Sequence, residues 1–181
     1  GVVVAHTASG EAVVVAGSKS GHVIALDPLT GKRRWVNKVG RGGVVAGVHF
    51  GIAAHDGRIF VPISDVPDGK DYGEEARPGL YALAADTGEY LWQAPAPTTV
   101  CKGRPGCFPG YSAAITVTDD YVLAGGNDGV LRAFAVASGE LLWSRDTTTA
   151  AVAVDGRIAK GGSMGGGAAP VLGDGLLVIN S

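Results

Sequence analysis

Apolar residues in this chain fall in short alternating runs, not in helical stripes. Val2–His6, Ala12–Ala16, Gly47–Ala53, Arg58–Ile63, Ser112–Val117 and Tyr121–Ala124 are each strand-sized and rich in Val, Ile and Ala. Period-2 patterning of that length marks a β-strand with a buried face. Three further strands end near Ala25, Ala82 and Ala133. Each is followed by a turn, and then by a strand that carries a tryptophan. Lys160–Leu172 and Leu176–Asn180 supply two more runs. No sustained 3.6-residue period exists, so almost no helix is expected. No apolar run approaches the roughly 20 residues of a membrane-spanning helix.

The tryptophans expose a repeat. Ala25 to Trp35, Ala82 to Trp92 and Ala133 to Trp143 are in register, with Thr30-Gly31, Thr87-Gly88 and Ser138-Gly139 at one offset. Every Trp of the chain lies in a copy, at intervals of 57 and 51 residues. The Gly suits the left-handed position of a turn that reverses the chain. With the two strands upstream, each copy makes four short antiparallel strands. Four-stranded units at this period predict an all-β fold, a β-propeller of antiparallel blades. The expected blades cover approximately 1–40, 44–96 and 110–147, with a half blade at 158–181 and both ends cut inside strands. A flat, large Trp at a fixed position suits the gap between neighbouring blades, and the facing Ala leaves room for it.

Loop lengths separate by face. The predicted A–B turns (Ala54–Gly57, Thr118–Asp120, Gly173–Gly175) and the Thr/Ser-Gly turns are short. Asp65–Gly79, Ala94–Tyr111 and Thr147–Ser163 are long, and all three fall on the opposite face. Long connections of this kind are uncommon and often functional.

Composition refines this picture. Gly accounts for 30 of 181 residues, which fits many tight turns. The net charge of −2 excludes a strongly basic nucleic-acid binder. Cys101 and Cys107, the only cysteines, bracket Lys-Gly-Arg-Pro-Gly. That flexible loop reads as a local disulfide, which points to an oxidising compartment such as the periplasm. No C-x-x-C-H exists for haem attachment. Gly161–Gly167 lacks the ending of a phosphate loop, and its glycines fit close passage near the propeller axis.

The motif A-x-(D)-x-x-[TS]-G-x-x-x-W resembles the tryptophan-docking motif of pyrroloquinoline quinone (PQQ) repeat propellers. Gly47–Ala54, Val61–Asp65, Cys101 and Cys107 with Pro109–Ala114, Gly161–Ser163 and Val178–Ser181 look closer still to polyvinyl-alcohol dehydrogenase-like quinoproteins. The resemblance implies PQQ and Ca²⁺, an alcohol substrate and an external electron acceptor such as a cytochrome c. It also implies a periplasmic or secreted protein, completed by missing blades or a second copy. PQQ is a flat tricarboxylate that needs cations and a divalent metal. Arg41 and Lys160 are the candidate cations, among Lys102, Arg104 and Arg157. His49 and the segment Gly161, Gly162, Ser163 are the other candidate cofactor contacts. Asp65 closes a strand and is the candidate metal ligand or catalytic base, with strand-end turn capping as its other reading. Asp68, Asp71, Glu74 and Glu75 read as a solvated loop. The same repeats also occur in the lipoprotein propeller that helps assemble outer-membrane proteins. That likeness implies a protein-interaction scaffold as the alternative function.

Overall fold

A computed structural model describes all of residues 1–181. It contains three four-stranded antiparallel sheets and two hairpins, with no helix long and apolar enough to cross a membrane. The first sheet is β1 (Val2–His6), β2 (Ala12–Gly17), β3 (His22–Leu26) and β4 (Arg33–Lys38). The second is β5 (Ala53–His55), β6 (Arg58–Ile63), β7 (Gly79–Ala84) and β8 (Tyr90–Pro95). The third is β9 (Thr116–Val117), β10 (Tyr121–Gly125), β11 (Val130–Ala135) and β12 (Leu141–Asp146). Hairpins β13 (Ala151–Val152) with β14 (Ile158–Ala159), and β15 (Val171–Gly173) with β16 (Leu176–Val178), follow. In each sheet the strands lie in chain order. Alternate connections therefore emerge at opposite ends, and the long segments 39–52, 64–78, 96–115 and 147–170 share one face.

The strand expectations need three corrections. The innermost strand of the second sheet begins at Ala53, not Gly47, and that of the third begins at Thr116, not Ser112. Backbone groups of those approach segments are spent on the preceding sheet instead. Val48 N donates to Ser18 O, Tyr111 N to Ile63 O and Met164 N to Gly126 O. Residues bonded across a gap between sheets cannot also extend their own ladder. Likewise the run Lys160–Leu172 follows β14 and holds only the start of β15, and Thr147–Ser163 contains the unforeseen hairpin β13–β14.

Side-chain alternation explains the stacking. Ile59, Val61 and Ile63 of β6 join Tyr81 and Leu83 in a core shared with the first sheet. The intervening Phe60 joins Leu80 and Ala82 in a core shared with the third. Successive strand residues point to opposite faces, so the middle blade is buried on both sides and reads as a nearly continuous apolar run.

The tryptophans lock these interfaces. Trp35 faces Ala25 across the β3–β4 ladder, just before a register shift. Its Nε1–H donates to Ala85 O of the next sheet at 2.9 Å. Trp92 faces Ala82 and donates to Val136 O at 2.9 Å. Each ring lies over the turn glycine of the next blade. A Cβ on Gly88 would come within 2.5 Å of Trp35, and one on Gly139 within 2.5 Å of Trp92. Trp35 and Trp92 are 9% and 8% exposed, whereas Trp143 is 47% exposed over the incomplete fourth unit.

Gly31 has a positive φ similar to that of Gly88, 68° against 74°, but nothing lies within 4 Å of its virtual Cβ. Gly31→Ala then carries only the backbone cost, about 1–2 kcal/mol. Gly88→Ala adds collision with the Trp35 ring, a further ~1–3 kcal/mol. Chemical unfolding of both variants checks this, and equal losses would contradict ring docking as the cause.

Candidate functional site

The long-loop face is organised by a buried carboxylate. Asp65 follows the end of β6 in a left-handed conformation, φ 42°, which Asp tolerates better than most residues. Only 1% of it is exposed. Oδ2 accepts the backbone N–H of Arg41 at 2.7 Å and of Arg77 at 2.9 Å. Oδ1 accepts those of Gly47 at 2.9 Å and Gly42 at 3.2 Å. Four amides from three chain segments thus converge on one side chain. A carboxylate so occupied is held stationary, and it ties the first blade's exit to the second blade's long loop.

The other acidic residues of that loop serve the loop itself. Asp68 Oδ2 accepts the Tyr72 hydroxyl at 2.6 Å, and that bond foremost holds its carboxyl below the usual range. Asp71 caps Gly73 N at 2.8 Å. Glu74 pairs with Lys38. No group of three His, Cys, Asp or Glu side chains is placed to hold a metal ion.

The candidate cations sit apart. Arg41 donates to Val66 O and Gly42 O, each at 3.1 Å, and lies 4.7 Å over the Tyr72 ring. It lines an open basic pocket of about 370 Å³ with Lys19 and Lys38, between the first and second blades. Lys160 is exposed just beyond β14. Gly161, Gly162 and Ser163 run beside Gly129 of the third blade, where Gly162 O lies 2.8 Å from a virtual Cβ on Gly129. Gly162 N donates to Ser181 Oγ at 3.0 Å.

His49 reaches the approach segment of the third blade. Its Nδ1 is 2.6 Å from Ser112 Oγ and its ring 4.3 Å from that of Phe50. A Cβ on Gly167 would lie 3.3 Å from the Phe50 ring. Phe50 belongs to the second blade's approach and Gly167 to the fourth's. Segments two blades apart can touch only on the inner side of a curved stack, so His49 and the Gly-rich segment face inward together. Burial foremost, and then the Lys19 charge, holds the His49 imidazole below its ordinary value of 6.5.

Three features escaped the sequence reading. Arg132 on β11 and Asp128 form a buried ion pair, 2.5 Å between Nη2 and Oδ2. The Tyr111 hydroxyl is buried without a partner in the protein, and burial foremost pushes it up to about 12. Asn127 is buried with its carboxamide oxygen unpaired. Superposing Gly47–Asp65 on Gly110–Asp128 exposes the signal, because Asn127-Asp128 then occupies the place of Ser64-Asp65. The disulfide Cys101–Cys107 is formed, with Cα atoms 5.2 Å apart. Arg104 inside that loop donates to Asp128 O at 3.2 Å and to Thr148 Oγ1 at 3.0 Å, which pins the loop over the third blade.

Four-stranded sheets stacked through docked tryptophans, with all long loops on one face, define part of a tryptophan-docked β-propeller. The chain belongs to the PQQ-repeat family described as outer membrane protein assembly factor BamB, which matches residues 19–179. It is 38% identical over 179 residues to a polyvinylalcohol dehydrogenase of Sphingopyxis sp. (strain 113P3), covering 96% of this chain. It spans only 27% of that relative's length. It is 29% identical to the outer membrane protein assembly factor BamB of Burkholderia pseudomallei (strain K96243), over 76% of this chain and 43% of that one. Among solved structures, the quinohemoprotein alcohol dehydrogenase of Comamonas testosteroni matches with a TM-score of 0.56 at 20% identity. That match covers 82% of this chain and 21% of the other, and it shows the fold.

Asp65→Ala leaves four buried or half-buried amides without their acceptor, and is expected to cost about 3 kcal/mol or more in chemical unfolding. Asp71→Ala, which loses one bond inside an exposed loop, should stay within about 1 kcal/mol. Equal effects would contradict the organising role of Asp65. For His49 the folded state favours the neutral ring, so the unfolded chain binds the proton more readily. Its contribution is complete above pH 6.5 and is lost as pH falls below that value. An NMR titration midpoint for His49 at or above 6.5 would contradict this.

Proposed function

We propose that the chain is part of a PQQ-dependent dehydrogenase that oxidises an alcohol. The hydroxyls would be secondary ones of a polymer or a small molecule, and an external acceptor such as a cytochrome c would take the electrons. The observation that carries this reading is the 38% identity to polyvinylalcohol dehydrogenases along 96% of the chain. The disulfide supports an oxidising location, periplasmic or secreted.

In this reading the residues present would supply scattered contacts to such a site. PQQ would supply the oxidising quinone and Ca²⁺ a Lewis acid. Arg41 and Lys160 are cations suited to its carboxylates, with His49, Gly161, Gly162 and Ser163 lining the inner side. They do not gather round one cavity, and no three metal-ligating side chains cluster. The remaining contacts belong, in this proposal, to blades outside the chain. Asp65 has both carboxylate oxygens filled by amides. Its first work in this reading is to hold Arg41 and the loop in place. Service as a base, or as a metal ligand, requires release of one of those bonds.

The second reading is a non-catalytic scaffold, favoured by the likeness to the Burkholderia assembly factor. Reconstitution of the whole protein with PQQ and Ca²⁺, followed by dye reduction with secondary alcohols, separates the two. Cofactor-dependent dye reduction is expected. Neither quinone binding nor dye reduction at saturating PQQ would leave the scaffold reading standing.

A further inference from the structure

The open pocket of about 370 Å³ beside Arg41 is lined by Lys19, Ser20, His22, Lys38, Arg41 and Tyr72. Its volume lies in the range of small-molecule sites. His22 begins β3 and Lys38 ends β4. The pocket therefore lies over the outer two strands of the first blade, and none of His49, Gly161, Gly162 or Ser163 lines it. Arg41 is fixed there. Its backbone N–H donates to Asp65 Oδ2 at 2.7 Å, while Nε donates to Gly42 O and Nη2 to Val66 O, each at 3.1 Å. The guanidinium also lies 4.7 Å over the Tyr72 ring. Nη1 makes no hydrogen bond within the protein. Lys19 Nζ donates to Val44 O at 3.1 Å, which leaves the rest of its ammonium N–H groups free. One pocket thus holds two cations that are anchored by carbonyls and still have donors to give.

The nearby carboxylates do not cancel these cations. Glu74 pairs with Lys38 and lies 3.7 Å from Arg77. Asp68 accepts the Tyr72 hydroxyl at 2.6 Å and Lys70 N at 3.2 Å. Asp65 is buried, with both oxygens filled by backbone amides. Neither the Lys19 nor the Arg41 side chain forms an ion pair. Four cations, Lys19, Lys38, Arg41 and Arg77, thus meet two carboxylates, Glu74 and Asp68. The local surplus is two positive charges, on a chain whose net charge is −2. Such a site repels a cation and leaves its charge unmet by a neutral ligand. A phosphate carries about −1.5 to −2 at pH 7 and three strong acceptor oxygens, an oxygen for each of Arg41, Lys19 and Lys38. A carboxylate brings one charge and two oxygens in one plane. Cations already fixed also lower the ordering cost of binding.

We propose that this pocket binds a phosphate dianion, free or as the monoester of a small organic molecule, with Arg41 and Lys19 as its principal contacts. The volume leaves room for the organic group of a monoester. The site is independent of the dehydrogenase reading. It withdraws Arg41 from the cofactor contacts named above, because Arg41 lines this pocket and none of the inner-side candidates does. Glu74, paired with Lys38, is the competitor that an arriving phosphate displaces.

Isothermal titration calorimetry of the protein at low ionic strength tests this, with inorganic phosphate, phenyl phosphate and acetate as probes. Both phosphates should bind, and acetate roughly tenfold more weakly. Tighter binding of phenyl phosphate identifies a monoester as the occupant, and equal affinities identify free phosphate. Arg41→Ala should weaken phosphate binding roughly ten- to a hundredfold, the value of a charge-assisted hydrogen bond. Lys19→Gln alters an exposed side chain, leaves the Arg41 bonds in place and should weaken binding about threefold or more. Glu74→Gln removes the competitor and should tighten binding roughly two- to fivefold, whereas mere loosening of the loop would weaken it. Acetate bound as tightly as phosphate, or phosphate binding unchanged in both Arg41→Ala and Lys19→Gln, would overturn the proposal. PQQ that displaces phosphate and loses affinity equally in Arg41→Ala would also overturn it, by making the pocket a cofactor contact. Phosphate binding without dye reduction in the reconstituted protein leaves the site standing and removes the dehydrogenase reading. Dye reduction without phosphate binding removes the site alone.

Discussion

The architecture depends on a flat ring meeting a glycine. The outermost strand of each blade is paired on one side alone, and it finds a further partner beyond its own sheet. The tryptophan supplies that partner through two kinds of contact. The indole N–H donates to a carbonyl of the next turn, at 2.9 Å in both complete interfaces. The ring face covers the turn glycine so closely that no Cβ fits. The Ala opposite the Trp and the register shift beside it make room in the donor blade. Docking thus fixes the spacing of blades from the outside, while the bonds Val48 to Ser18, Tyr111 to Ile63 and Met164 to Gly126 fix it from the inside. Clamped at both radii, the sheets hold their loops on one face at set separations.

That rigidity lets one repeat position do different work in successive blades. Asp65 and Asp128 occupy equivalent places after the second strand of their blades. Asp65 draws in the backbone of the neighbouring segments, so its charge is spread over four amides. Asp128 turns to Arg132 on its own sheet, and both side chains are buried. A buried pair of this kind is costly to break and adds little net stability. Its consequence is geometric: Asp128 O is left to receive Arg104, and so the disulfide loop is anchored.

Much of the fold was legible because its signals are short-range. Trp spacing, Thr/Ser-Gly turns and period-2 runs each report local geometry, and together they identified the sheets, the docking and the shared loop face. The inner strands were placed too early, because Gly47–Ile52 and Ser112–Ile115 are apolar enough for strands. Their backbone bonds go to the adjacent blade, and composition carries no record of the bonding partner. The hairpin β13–β14 was missed because its two strands are two residues each. For the site, Asp65 was noticed as the polar residue that closes a strand, and its burial was hidden. Arg132 was passed over because a charge inside an apolar run reads as an outward face. Only tertiary packing shows that Arg132 points to Asp128 and not to solvent.

The scaffold and enzyme readings place different demands on the inner side of the loop face. An interaction scaffold uses its rim and outer strands, and nothing in that role requires a disulfide loop tied to the third blade or a glycine segment against Phe50. Both are integrated here at specific points, through Arg104 and through Gly167. The polar groups left unpaired within the protein, Tyr111 Oη and Asn127 Oδ1, are both buried in the third blade. Rigid blades and loops anchored by charge suit a surface shaped around a small polar ligand better than one shaped around another protein.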